Sequence, residues 1–138
     1  MSSFFTGVTN EQLAGVGLLS GLDDTAFEKI RERSYFIGAH PGLHLVRQGD
    51  AGFELYIILS GTAEVVRVAG VVSTLGKGGA FGEMALLGKP HRNADVVATS
   101  VMSLLSMSAT DFRQLSEEIP ELEHRLRDLA EERRTPAG

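Results

Sequence analysis

Glu83 and Arg92 are opposite charges within one run, Phe81-Gly82-Glu83-Met84-Ala85-Leu86-Leu87-Gly88-Lys89-Pro90-His91-Arg92-Asn93-Ala94-Asp95-Val96. Their types and setting indicate what they would hold. Glu83-Met84-Ala85-Leu86-Leu87 has no β-branched residue and consists of strong helix formers, so it reads as a single helical turn. Gly82 stands just before it and, lacking a side chain, lets a ligand approach the backbone closely. The first amides of a helical turn have no carbonyl partner inside it, and with the helix dipole they favour an anion. Arg92 adds a planar guanidinium whose parallel N–H groups match two phosphate oxygens. A carboxylate beside a phosphate is repulsive. Glu83 therefore requires a second kind of group on the same ligand, and a hydroxyl donates well to a carboxylate. In a 3′,5′-cyclic nucleotide the ring phosphate takes up O3′ and O5′, and the 2′-hydroxyl is the only free hydroxyl of the ribose. One Glu, one Arg and a helix N-terminus suit that ligand.

The elements that must position these residues are mainly strands. Short apolar or alternating runs cover Ser34–Ile37, Leu43–Arg47, Glu54–Leu59, Thr62–Val68, Val71–Leu75, Arg92–Ala98 and Val101–Met107. Turn residues separate them at His40-Pro41-Gly42, Gln48-Gly49-Asp50, Ser60-Gly61, Ala69-Gly70 and Gly76-Lys77-Gly78-Gly79. Strands at this spacing point to a sandwich, jelly roll or barrel rather than an α/β fold. In the fourth run Thr62, Glu64 and Arg67 are expected outside and Ala63, Val65 and Val68 inside. Helices flank the strands. Asn10 is expected to cap a first helix with Leu13, Val16 and Leu18 as apolar positions, though Gly15 and Gly17 weaken it. Asp23 caps a second helix carrying Ala26, Phe27 and Ile30. After the strands, Thr110 or Asp111 opens a helix running through Glu118, and Pro120 starts the last one. There Leu122, Leu126 and Leu129 form a stripe that reads as ordinary packing, flanked by the pairs Glu121/Arg125 and Glu123/Arg127. The tail Thr135-Pro136-Ala137-Gly138 reads as disordered.

The run FGEMALLGKPHRNADV resembles the phosphate-binding cassette of the cyclic-nucleotide-binding domain family, which reads Phe-Gly-Glu, an aliphatic, Ala-Leu, a variable stretch, then Pro-Arg, a small residue and Ala. Gly49-Asp50, Leu59-Ser60-Gly61 and Gly76-Lys77-Gly78-Gly79 match the family's turn glycines, so the resemblance covers nearly the whole chain. It implies one domain over residues 1–138: N-terminal helices at about 10–33, an eight-stranded jelly-roll β-barrel with the cassette at about 34–107, and two C-terminal helices at about 110–134. It also implies that Glu83 binds the ribose 2′-hydroxyl, Arg92 the equatorial phosphate oxygen, and the amides of Ala85 and Ala94 the phosphate. The remaining cassette residues Phe81, Gly82, Met84 and Asn93 belong to the same ligand site, and Val65 and Val72 are expected to line the base pocket. His91 stands where the family has proline, with Pro90 one place early, and Asn93 occupies its small or hydroxyl position. Cyclic AMP and cyclic GMP both remain open. The implied role is a regulatory sensor that relays binding to its C-terminal helices, which would meet an effector domain or a second copy. The alternative is a domain of the same fold that binds no nucleotide and acts as an interaction module.

Bulk properties narrow the other classes. With 138 residues the chain fits one domain. It has no cysteine, which removes disulfides and thiolate chemistry. Thirteen Lys and Arg against eighteen Asp and Glu argue against a nucleic-acid surface. Met1-Ser2-Ser3-Phe4-Phe5 has neither the charge nor the apolar run of a signal peptide, and no apolar stretch approaches the roughly 20 residues of a membrane helix. A cytoplasmic, soluble protein is expected. His40 and His44 raise the question of a cupin-like metal enzyme, but Pro41-Gly42 interrupts the strand between them and no acidic ligand follows at suitable spacing. No Ser sits in a nucleophile elbow. The expectation is a binding domain with no metal, no cofactor and no catalysis.

Overall fold

The computed structural model describes residues 8–83, 86 and 91–134. The tail from Thr135, together with Met84, Ala85 and Leu87, lies outside them. Two helices open the chain: α1 (Asn10–Ala14) and α2 (Asp24–Glu32), with a 3-10 turn at Gly17–Leu19 between them. The cap of α1 is Thr9 and not Asn10. The Thr9 hydroxyl accepts from the Gln12 amide at 3.0 Å, and the Gln12 side chain accepts from the Thr9 amide at 2.8 Å. Asn10 turns away to donate to Asp24 at 2.9 Å and to accept from Arg31. α2 starts as expected, with the Asp23 carboxylate accepting from the Ala26 amide at 2.8 Å.

Eight strands follow among the described residues: β1 (Tyr35–Ala39), β2 (His44–Val46), β3 (Glu54–Ser60), β4 (Ala63–Arg67), β5 (Gly70–Leu75), β6 (Ala80–Phe81), β7 (Asp95–Ala98) and β8 (Met102–Ser108). They form two antiparallel four-stranded sheets in the jelly-roll orders β1-β8-β3-β6 and β2-β7-β4-β5. β6 is too short to show as an apolar run. β7 begins at Asp95, three residues later than the sequence suggests, which leaves Arg92 in the segment ahead of the strand. Val68 was expected inside but is 96% exposed. Arg67 pairs with Gly70, so Val68 sits at the tip of the β4–β5 hairpin with no strand opposite it.

β3 explains its own unbroken apolar sequence. Leu55, Ile57 and Leu59 face the helices, whereas Ile58, with Tyr56 beside it, faces the interior between the sheets. β8 divides in the same way, with Leu105 and Met107 toward the helices and Met102 and Leu104 toward the barrel. A strand buried on both faces needs no polar alternation. The chain closes with α3 (Ala109–Glu118) and α4 (Pro120–Arg134). Ser108, rather than Thr110 or Asp111, caps α3, its hydroxyl accepting from the Asp111 amide at 3.1 Å. Leu122 and Leu126 are buried in the helical cluster, where α4 packs on α3 and on the 3-10 turn at Gly17–Leu19, with Leu129 partly buried against it. Both flanking pairs form, Glu121–Arg125 at 3.5 Å and Glu123–Arg127 at 3.1 Å.

Candidate functional site

The segment carrying Arg92 is pinned by its backbone before its side chain makes any contact. The Arg92 amide donates to the Asp50 carbonyl at 2.9 Å, and its carbonyl accepts from the Gly49 amide at 2.8 Å. Asp95 reinforces this by accepting from the Gln48 amide at 2.6 Å. The side chain then runs inward, leaving Arg92 9% exposed. Nη2 donates to the carbonyl of Glu54 at 3.2 Å and Nη1 to that of Gly82 at 3.5 Å. The Glu54 carboxylate stands 3.7 Å from Nη2. Beneath lies the Tyr56 ring, its centroid 5.9 Å from the guanidinium carbon, stacked in turn on Phe81 at 4.9 Å. A buried guanidinium requires partners, and two carbonyls cannot use all five of its N–H groups.

Gly82 has a φ of +87°, and a Cβ there would come within 2.5 Å of the Glu54 carbonyl oxygen, so only glycine fits. The carbonyl that Arg92 contacts belongs to the peptide joining Gly82 to Glu83, which puts both charged residues at one place. Glu83 is 3% exposed. Three residues on, Leu86 is buried in the helical cluster, and its carbonyl accepts from Nη2 of Arg113 on α3 at 3.5 Å.

This barrel, with Gly82-Glu83 and a buried arginine meeting, has counterparts among known proteins. The family model described as the cyclic nucleotide-binding domain matches residues 39–118. The chain belongs to the cyclic nucleotide-binding domain family. It is 39% identical over 104 residues to a cAMP-dependent protein kinase regulatory subunit of Schizosaccharomyces pombe, covering 75% of this chain and 25% of that protein. It is 40% identical over 93 residues to a cyclic nucleotide-gated potassium channel of Rhizobium etli, covering 67% of this chain and 26% of the channel. The chain thus spans about a quarter of the length of these curated relatives. Among solved structures, the regulatory domain of Toxoplasma gondii PKA with cAMP superposes with a TM-score of 0.77 at 26% identity, covering 88% of this chain and 48% of that one. The Thermus thermophilus catabolite activator protein gives 0.75 at 29% identity, covering 84% and 57%.

Within this cyclic nucleotide-binding domain the structure brings Arg92 to Gly82, beside Phe81 and Glu83, and Phe81, Glu83, Arg92 and Ala94 are buried. Asn93 is exposed beside them. Met84 and Ala85 lie outside the described residues. Val65 packs against the barrel cluster. Val72 is 49% exposed on β5, where the pairing with β4 shifts register, and does not join that cluster. Sequence reasoning missed Glu54 and Tyr56. The available signal was their spacing at the head of a strand, which puts both on one face. The Tyr56 hydroxyl is held above the ordinary tyrosine pKa, by burial first and then by the Glu54 charge, with Arg92 and a hydrogen bond to Ser106 opposing. Elsewhere, His44 Nδ1 lies 3.3 Å from Asp95 Oδ2, and His40 Nδ1 lies 3.0 Å from the Pro41 carbonyl. No group of three His, Asp or Glu among the described residues is placed to hold a metal, and no described helix is long and apolar enough to cross a membrane.

Proposed function

We propose that this domain binds a 3′,5′-cyclic purine nucleotide, cyclic AMP or cyclic GMP, and relays binding to its C-terminal helices. The observation that carries the reading is the buried Arg92 guanidinium held against the Gly82–Glu83 peptide. In this reading Arg92 donates to the equatorial phosphate oxygen, and the amides of Ala85 and Ala94 add donors. Glu83 accepts from the ribose 2′-hydroxyl. Phe81, Met84 and Asn93 complete the cassette, and Val65 and Val72 border the base. Two relatives whose names carry cAMP make cyclic AMP the first ligand to test. The whole chain acts as one sensing unit, helices 10–33 and 110–134 bracketing the barrel at 34–107.

The relay follows from where the cassette is anchored. Phe81 packs inside the barrel and Leu86 among the helices, so a phosphate that draws the turn inward moves Leu86 against α3 and α4. The Arg113 contact to the Leu86 carbonyl ties α3 to the same turn. A ligand shifts this arrangement only to the extent that it binds the two positions unequally.

Calorimetry with cyclic AMP and cyclic GMP side by side tests the binding. Arg92→Ala should weaken it by about 2–4 kcal/mol, because the phosphate loses its charged donor. Glu83→Ala should cost more for the ribonucleotides than for their 2′-deoxy analogues. Unchanged affinity in Arg92→Ala refutes the site, and equal losses for both sugars remove the ribose role of Glu83.

A further inference from the structure

We propose that Gly52 is a positioning residue for the phosphate-binding arginine: the side chain it lacks is one wall of the slot that holds the Arg92 guanidinium. A Cβ at Gly52 would lie 2.0 Å from Nε, 2.3 Å from the guanidinium carbon and 2.4 Å from Nη2 of Arg92, its three nearest neighbours. All three atoms belong to one side chain. Other glycines of the barrel answer a different need. Gly61 and Gly82 have φ of +92° and +87°, and a Cβ at either would strike backbone first, the Val101 carbonyl at 2.4 Å and the Glu54 carbonyl at 2.5 Å, with Arg92 Nη1 a second neighbour at Gly82, at 2.9 Å. Gly52 is not among the glycines with positive φ, so its backbone makes no such demand. What excludes a methyl group at Gly52 is the guanidinium.

The consequence is specific. The obstacle is the far end of a flexible side chain, so alanine at this position folds by pushing the guanidinium aside. The Arg92 backbone stays tied to Gly49 and Asp50, and only the side chain leaves its contacts with Glu54, Gly82 and Tyr56. Gly52 thereby sets where Arg92 offers its donors, an inference that rests on Arg92 being the phosphate ligand.

Two measurements on the full chain test it. Calorimetry with cyclic AMP should show Gly52→Ala binding weaker by on the order of ten-fold or more, a loss of charge-assisted contacts without loss of the arginine. Thermal unfolding of wild type, Gly52→Ala, Arg92→Ala and the double variant should show strong coupling. Gly52→Ala lowers Tm with Arg92 present, and leaves Tm unchanged or raises it in the Arg92→Ala background, where the methyl group has room. Equal Tm changes in both backgrounds overturn the proposal, as does wild-type affinity in Gly52→Ala while Arg92→Ala has lost binding. Should Gly52→Ala not fold, recovery of folding in the double variant supports the slot and its absence overturns it. If Arg92→Ala itself binds like wild type, the functional reading falls, and the thermal cycle still decides whether Gly52 makes room for Arg92.

Discussion

Two cores lie on opposite sides of the sheet β1-β8-β3-β6, and they are built differently. The helical core draws Leu13, Ile30, Phe112, Leu115 and Leu122 from segments at both ends of the chain and packs them on Leu55, Ile57 and Leu105. The barrel core is smaller, made of Ile58, Phe81, Val96, Ala98, Met102 and Leu104 from strands that face one another. At Phe81 the barrel core meets the buried Arg92 by way of the Tyr56 ring, whereas at the helical core the guanidinium groups of Arg113 and Arg125 donate to the carbonyls of Leu86 and Leu18. The cassette contributes Phe81 to one core and Leu86 to the other. In the proposed reading, a ligand held beside Arg92 would be linked to the helices within a few residues. In the proposed relay, sensing and response would fall to different cores, through two residues five positions apart in the sequence.

The largest expected effects compare the cores directly. Leu104 and Leu105 are neighbours, both fully buried, facing the barrel and the helices respectively. Leu104→Ala and Leu105→Ala should each lose about 2–5 kcal/mol in urea unfolding, since each leaves a cavity in a close-packed interior. A loss under 1 kcal/mol for one of them would show that its core is loosely packed. Leu86→Ala strikes the link. It should cost about 2 kcal/mol of stability, toward the low end for a leucine at the edge of a cluster. More tellingly, it should remove any change in hydrogen-exchange protection of α3 and α4 on adding cyclic AMP while binding persists. Retention of that change places the link elsewhere.

The smallest effect sharpens the barrel end. Tyr56 and Tyr35 are the two tyrosines, and Tyr35 is 72% exposed. In a Tyr35→Phe background the phenolate absorbance should therefore report Tyr56 and titrate above the ordinary tyrosine range, because burial and the Glu54 charge disfavour the phenolate. A folded-state pKa raised above the unfolded value contributes stability that is fully present below the unfolded pKa and is lost as pH rises through the folded one. The alkaline fall in Tm should accordingly be shallower in Tyr56→Phe. Titration at the ordinary tyrosine value would mean that the ring is more open to water than the stack on Phe81 implies.

Much of the fold was legible because its signals are local. Asp23 and Pro120 start helices through their own neighbours, and the turn residues between strands act through backbone angles available to few residue types. The misplacements had local competitors. Thr9 capped in place of Asn10 because Gln12 could return the bond, and Val68 turned outward because a two-residue hairpin took it out of the strand. β6 stayed hidden because two residues show no period.

The proposed phosphate-and-hydroxyl role of Glu83 and Arg92 rests on residue type and short spacing, which the sequence carries directly. Its fit to the family came with the ordered cassette. What the sequence by itself could not determine is how Arg92 is held. Its guanidinium contacts a carbonyl 38 residues earlier in the chain, lies over Tyr56 and fills the space left by Gly52. None of these pairings leaves a periodic trace, because they exist only once β3 lies beside β6 and β8 and the Gln48–Asp50 turn has closed on Arg92. Local residue types carry the proposal of what the site binds, and the long-range closure of the barrel decided where the Arg92 charge is pointed.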